Sequence, residues 1–138
     1  MTDADLDRLG RTLLSHGPDA VIYADRNGAI RFWNAAATRI FGFTEDEAMG
    51  QSLDIIIPER LRKRHWDGYH HTMATGLAQH PPEELLSVPA QTKAGQPLSI
   101  QFTVTPVRDE TNQIAGIVAV LRDTTATFLE LKRLRARG

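Results

Sequence analysis

The chain has five histidines and no cysteine. That excludes disulfides, thiolate metal sites, cysteine nucleophiles and cysteinyl-flavin photochemistry. Among the histidines, His65 is placed to do chemistry. On a helix read from about 59 to 75, Leu61, His65, Tyr69, Thr72 and Met73 fall on one stripe, with Gly68 beside it. A His on such a stripe is either a ligand or a core residue hydrogen-bonded within the protein. Gly68 inside the helix costs ~1 kcal/mol relative to Ala, so it asks for a reason.

His70 and His71 are adjacent, point about 100° apart on a helix and cannot share a metal from one face. With no Cys and no His-Glu-x-x-His, a zinc site is not expected. Arg60, Arg62, Lys63 and Arg64 read as a solvated helix face from which one residue would pair a ligand carboxylate. Trp66, one residue off the His65 stripe, either flanks a pocket or simply packs; Trp33 reads as core. There is no nucleophile elbow, no phosphate loop and no pair of carboxylates on a cleft-facing helix, so the chain is not expected to be an enzyme.

The elements that must position these residues follow from local signals. Leu6, Leu9, Leu13 and Leu14 form a helical stripe over about 3–15, stopped by Gly17-Pro18. Two β-prone runs, Ala20 to Ala24 and Ala29 to Trp33, flank an Asn27-Gly28 turn and read as a hairpin. Asn34 caps a short helix from Ala35 to Phe41, ended by Gly42. Thr44 and Glu47 form a capping box, and Ser52 to Ile57 is a short buried element before Pro58. The long helix ends at Gly76, and Pro81-Pro82 reads as a rigid loop. Leu85 to Pro89, Leu98 to Val107 and Ile114 to Leu121 read as strands, and Thr125 to Arg137 as a helix. Strand runs flanking a block of helices predict an α+β domain with about five antiparallel strands, covered on one face.

The 138 residues suffice for one domain with one core, and 41% apolar with 24% charged residues is a globular composition. Sixteen Lys and Arg against seventeen Asp and Glu leave no electrostatic reason to bind nucleic acid or an anionic membrane. No secretory signal and no apolar run long enough to span a bilayer is visible, so a soluble, cytoplasmic domain is expected.

Several short motifs, in order, carry a resemblance. Asp19-Ala20-Val21-Ile22, Asp25-Arg26-Asn27-Gly28, Asn34-Ala35-Ala36, Phe41-Gly42-Phe43, Glu47-Ala48-Met49-Gly50-Gln51 and Leu121-Arg122-Asp123-Thr124-Thr125 resemble those of a PAS domain. The resemblance implies an N-terminal flanking helix at 1–17, a PAS core at 18–123 and a C-terminal signalling or linker helix at 124–138. It also implies a sensory or dimerising role. Leu6, Leu9, Leu13, Phe128, Leu131 and Leu134 would then pair in a homodimer, unless they cover the open face of their own sheet. No kinase, cyclase or DNA-binding domain is visible, so the chain reads as a stand-alone sensor or part of a larger one.

The run from Pro58 through Arg62 to His65 is similar to the Pro-x-x-x-Arg-x-x-His run of haem-binding PAS domains in rhizobial oxygen-sensor kinases and the bacterial direct oxygen sensor. There the His is the proximal iron ligand, so the resemblance implies haem b on His65. Gly68 would clear space for a flat macrocycle beside the helix. The pocket walls would be apolar: Ile55, Ile56, Leu85, Leu86, Val88, Ile100, Phe102, Val104, Ile117 and Ala119, with Tyr69 on the helix. His71 or His70 would meet a propionate. Where those sensors carry an Arg that holds oxygen, this chain has Leu86; where one carries a Met ligand, it has Glu84. An apolar wall favours carbon monoxide, nitric oxide or redox state over tight O2 binding. Gln101 or His80 would be substitute donors, although His80 also reads as an exposed loop residue. The alternative is a haem-free PAS module for dimerisation or protein interaction, or one holding another small organic ligand. A redox flavin remains a further option without a specific signature.

Overall fold

The computed structural model describes residues 1–76, 80–81 and 83–137. Pro82 of the expected rigid loop and Gly138 of the last helix lie outside the described residues. The order is helix α1 (Asp3–His16), strands β1 (Ala20–Asp25) and β2 (Ile30–Trp33), helices α2 (Ala35–Phe41) and α3 (Glu45–Ala48), a 3-10 turn (Leu53–Ile56), helix α4 (Glu59–Thr75), strands β3 (Leu86–Gln91), β4 (Pro97–Arg108) and β5 (Ile114–Asp123), and helix α5 (Thr125–Arg137). The five strands form one antiparallel sheet in the order β2-β1-β5-β4-β3.

The local stops act as their chemistry requires. Asn34 caps α2 by accepting from the Ala37 N–H at 3.0 Å, and it also accepts from the Val21 N–H. Its amide donates to the Leu14 and Asp19 carbonyls, so one buried side chain ties α1, β1 and α2 together. Thr44 and Glu47 form the capping box of α3. In the β1–β2 turn, Asp25 Oδ1 accepts from the Asn27 and Ala29 N–H groups, and Gly28 takes a positive φ of 79°. The Trp66 ring lies against Gly28, where an added Cβ would come within 2.1 Å of it.

The main core joins all five strands with α2, α3 and the 3-10 turn. Trp33, Phe41 and Ile30 are its largest fully buried side chains. Burying each is worth roughly 1.5–3 kcal/mol. A second cluster of Ala24, Tyr69, Met73 and Ile114 fastens α4 to the sheet. Arg26 donates to the Met73 and Ile114 carbonyls, joining the end of α4 to the start of β5.

The terminal helices do not cover the sheet. Neither α1 nor α5 has a buried residue, and Leu6, Leu9, Leu13, Phe128, Leu131 and Leu134 are all exposed. Among the described residues, no helix is long and apolar enough to cross a membrane.

Candidate functional site: an apolar cavity under α4

Between α4, the 3-10 turn and the sheet lies a cavity of about 650 Å³. That volume is within the usual range for a small-molecule site, roughly 300–1,000 Å³. It lies beside the contacts by which Tyr69 and Met73 fasten α4 to Ala24 of β1 and Ile114 at the start of β5. Side chains alternate along a strand, so Ile100, Phe102, Val104 and Pro106 of β4 all face the cavity. The register sets Val104 beside Ala119, and Ala119 beside Ile22, while Pro106, Ile117 and Ala24 form the next row. Leu86, paired with Phe102, and Val88, paired with Ile100, extend this wall onto β3.

Helix α4 supplies Leu61, Arg64, His65, Gly68, Tyr69 and Thr72. The expected stripe therefore faces the cavity, apart from Met73, which packs in the second cluster. Tyr69 donates its hydroxyl to the Ala24 and Asp25 carbonyls, which fixes the middle of α4 to the end of β1. Burial, assisted by the Asp25 carboxylate, pushes the Tyr69 pKa well above its ordinary value, so it remains a neutral donor.

His65 is different. Its Nδ1 is buried and has no hydrogen-bond partner among the described residues. Its ring meets the Trp66 ring edge-on at 4.5 Å and tilts against Tyr69 at 5.7 Å. Burial holds its pKa below the ordinary value; Asp54 works against that shift and His70 adds to it. The imidazole is kept neutral, the form that ligates a metal. An unsatisfied buried nitrogen costs about 1–3 kcal/mol; since Nδ1 is the enclosed nitrogen, Nε2 is the one left to meet a ligand in the cavity. An apolar cavity of this volume with one neutral imidazole in its wall fits a haem.

The expected site residues His65, Gly68, Tyr69, Leu86, Ile100, Phe102, Ile117 and Ala119 all line this one cavity. His71 does not: it is exposed, in a groove on α4 with Arg60, Lys63, Arg64, Asp67 and Gly68. Arg64 and Gly68 border both spaces, so the cavity meets a basic groove at those two residues.

Gln101, Leu85 and Ile55 are not wall residues, and the remaining alternatives resolve as follows. Gln101 is no pocket donor, because it alternates with Ile100 and Phe102 and lies on the opposite face of β4. Leu85 precedes β3 and is 59% exposed, and Ile55 packs against the main core instead. Trp66 packs over Gly28 and donates Nε1–H to Asp54 Oδ1 at 2.7 Å, outside the cavity. His80, read as an exposed loop residue, is half-buried, lines the cavity and pairs with Glu84 at 2.7 Å. Of the basic run Arg60, Arg62, Lys63 and Arg64, from which one residue was expected to pair a ligand carboxylate, Arg64 is the one that lines the cavity.

The PAS fold family model matches residues 14–127. The chain belongs to the PAS fold family. This PAS domain is 46% identical over 59 residues to the sensor protein FixL of Bradyrhizobium diazoefficiens, a match covering 43% of this chain and 12% of that protein. It is 28% identical over 81 residues to the oxygen sensor protein DosP of Escherichia coli, covering 57% of this chain and 10% of that one. The chain thus spans a small part of either relative. Among solved structures, the PAS domain of a Colwellia psychrerythraea protein superposes with a TM-score of 0.76 at 18% identity, covering 88% of this chain and 99% of that domain. That likeness is one of fold.

Proposed function

We propose that this PAS domain is a sensory, non-enzymatic module that holds haem b through His65 and responds to a diatomic gas (CO, NO or O2) or to redox state. The observation that carries the reading is a neutral His65 in the wall of an apolar cavity, its ring without a hydrogen-bond partner at Nδ1 among the described residues. Resemblance of the Pro58–His65 run to haem-binding PAS sensors supports it, as does similarity to proteins named as a sensor and an oxygen sensor. When bound, haem would supply an iron able to take a diatomic gas or change oxidation state.

The chain's own residues do the rest. Leu86, Ile100, Phe102, Ile117 and Ala119 exclude water from the cavity. Arg64 stands where the cavity meets the basic groove and would pair an acidic substituent of the ligand. Leu86 offers no donor, which favours carbon monoxide, nitric oxide or redox sensing over tight oxygen binding.

The output route is short. Ser99 adjoins Ile100 of the cavity wall, and its carbonyl accepts from the Thr124 N–H at 2.8 Å. Its own N–H donates to Thr125 Oγ1 at 3.0 Å, and Asp123 Oδ1 accepts from the Thr125 N–H at 2.9 Å. A shift of β4 would therefore re-bias the start of α5. Exposed apolar residues on α1 and α5 would be covered by a second copy, making the sensor a homodimer.

The test is the visible absorption spectrum after adding hemin to wild type and His65→Ala. A sharp Soret band at one equivalent, lost or strongly altered in the variant, is expected. A broad band unchanged by the substitution would overturn the haem reading and leave a haem-free PAS binding module.

A further inference from the structure

We propose that His80 is the second imidazole donor of this cavity, supplying an exchangeable nitrogen to the group that His65 holds. The inference rests on the haem reading above and adds a ligand to it.

The polar inventory of the cavity wall narrows the choice. Arg64, His65, Tyr69, Thr72, His80 and Ser87 are its polar side chains among the described residues. The Tyr69 hydroxyl is committed to the Ala24 and Asp25 carbonyls, and the Thr72 hydroxyl donates to the Gly68 carbonyl at 3.1 Å. Arg64 is a cation with no lone pair to give, and the Ser87 hydroxyl is a poor metal donor. Beyond His65, the remaining imidazole in the wall is His80.

Its second contact prepares it for that role. His80 Nδ1 lies 2.7 Å from Glu84 Oε2. A carboxylate oxygen accepts, so Nδ1 carries a hydrogen and Nε2 is the ring nitrogen that would ligate. Histidines that ligate metals almost always donate their other ring N–H to a carboxylate or carbonyl in this way. Glu84 therefore acts as a positioning residue for a nitrogen donor. The spacing, His80 to Glu84 in the connection between α4 and β3, is visible in the sequence; its meeting with the cavity is not.

Exposure explains why this donor would exchange. The His80 and Glu84 side chains are 41% and 44% exposed, so the pair sits at the cavity mouth. His80 can withdraw without leaving a hole in the core, whereas His65 is held between Trp66 and Tyr69. The arrangement is one fixed and one removable imidazole, and a gas would compete with the second.

Absorption and electron paramagnetic resonance spectra of the hemin-loaded protein test this, using wild type, His65→Ala, His80→Ala and Glu84→Gln. Wild type is expected to be low-spin and six-coordinate. His80→Ala should keep the Soret band but lose the low-spin signal, and added imidazole should restore it. Glu84→Gln should lower the low-spin fraction at least twofold. If His80→Ala matches wild type while His65→Ala loses the band, His80 is not a ligand and the His65 assignment stands. A broad band indifferent to His65→Ala would defeat both. Circular dichroism of the hemin-free variants separates loss of donor from loss of fold; if His80→Ala is unfolded, His80→Gln, which also lacks the imidazole, must reproduce the loss of low-spin signal or the proposal fails.

Discussion

Replacing His65 by Leu should stabilise the ligand-free domain, although it removes a polar residue from a helix of the PAS core. His65 Nδ1 is buried without a partner, and an unmet group of this kind costs about 1–3 kcal/mol. Leu fills comparable space and carries no polar atom. Against this gain stand the ring contacts with Trp66 at 4.5 Å and Tyr69 at 5.7 Å, worth about 0.5–1.5 kcal/mol. The balance is a gain of about 1 kcal/mol at about pH 8, or a Tm higher by about 3–5 °C. The pH dependence adds a second signature. Burial holds the folded imidazole below its ordinary value of 6.5. As pH falls through that value, the unfolded chain takes up a proton that the folded chain refuses. Wild-type stability therefore falls, with a slope of up to ~1.4 kcal/mol per pH unit, until the folded imidazole itself protonates. His65→Leu removes this component, so its advantage should widen between about pH 7 and pH 5.5. Urea unfolding of both proteins across that window measures it. A variant less stable by about 1 kcal/mol or more at about pH 8, with the wild-type pH slope retained, would mean that His65 is satisfied within the protein. His65 would then be a core residue and not a haem ligand.

Tyr69→Phe should cost about 1 kcal/mol, since a buried hydroxyl lost to the Ala24 and Asp25 carbonyls leaves both unpaired by it; calorimetry should show a Tm lower by about 3–5 °C. Gly28→Ala combines a φ of 79° with a Cβ within 2.1 Å of the Trp66 ring and should cost roughly 2–4 kcal/mol. Gly95→Ala has a similar φ of 80° but nothing within 4 Å, so only about 1 kcal/mol of backbone strain is expected; equal losses in urea unfolding would contradict the packing of Trp66. The Lys93 ammonium and the Thr44 N–H hold Glu47 down to about 2, so its stabilising contribution is present above its ordinary 4.5 and lost as pH falls towards 2. Glu47→Gln should flatten that part of the acid unfolding curve. A Leu13→Glu, Leu131→Glu double variant should sediment as a monomer with the helical signal unchanged, whereas a wild type already monomeric at high concentration would refute pairing through α1 and α5.

Much of the fold is legible because its signals act within three or four residues. Asn34, the Thr44–Glu47 box, the Asn27-Gly28 turn and the glycines at 42 and 76 each set a cap, turn or stop by their own backbone chemistry. Period-two alternation in β4 and the helical stripe of α4 likewise determine which faces look inward, and so bring His65, Phe102 and Ile117 to one side. What the chain leaves undecided locally is whether inward-facing side chains meet or leave a space. That depends on volumes summed over elements far apart in sequence: α4 closes on β1 and the start of β5 through Tyr69 and Met73 and leaves a space beside them, and no segment contains that information. The same long-range sum leaves His65 Nδ1 without a partner, draws Trp66 over Gly28, turns Gln101 away and brings His80 with Glu84 to the mouth. Local chemistry selects the elements and their faces; only their packing decides that a cavity remains and which polar groups are left to face it.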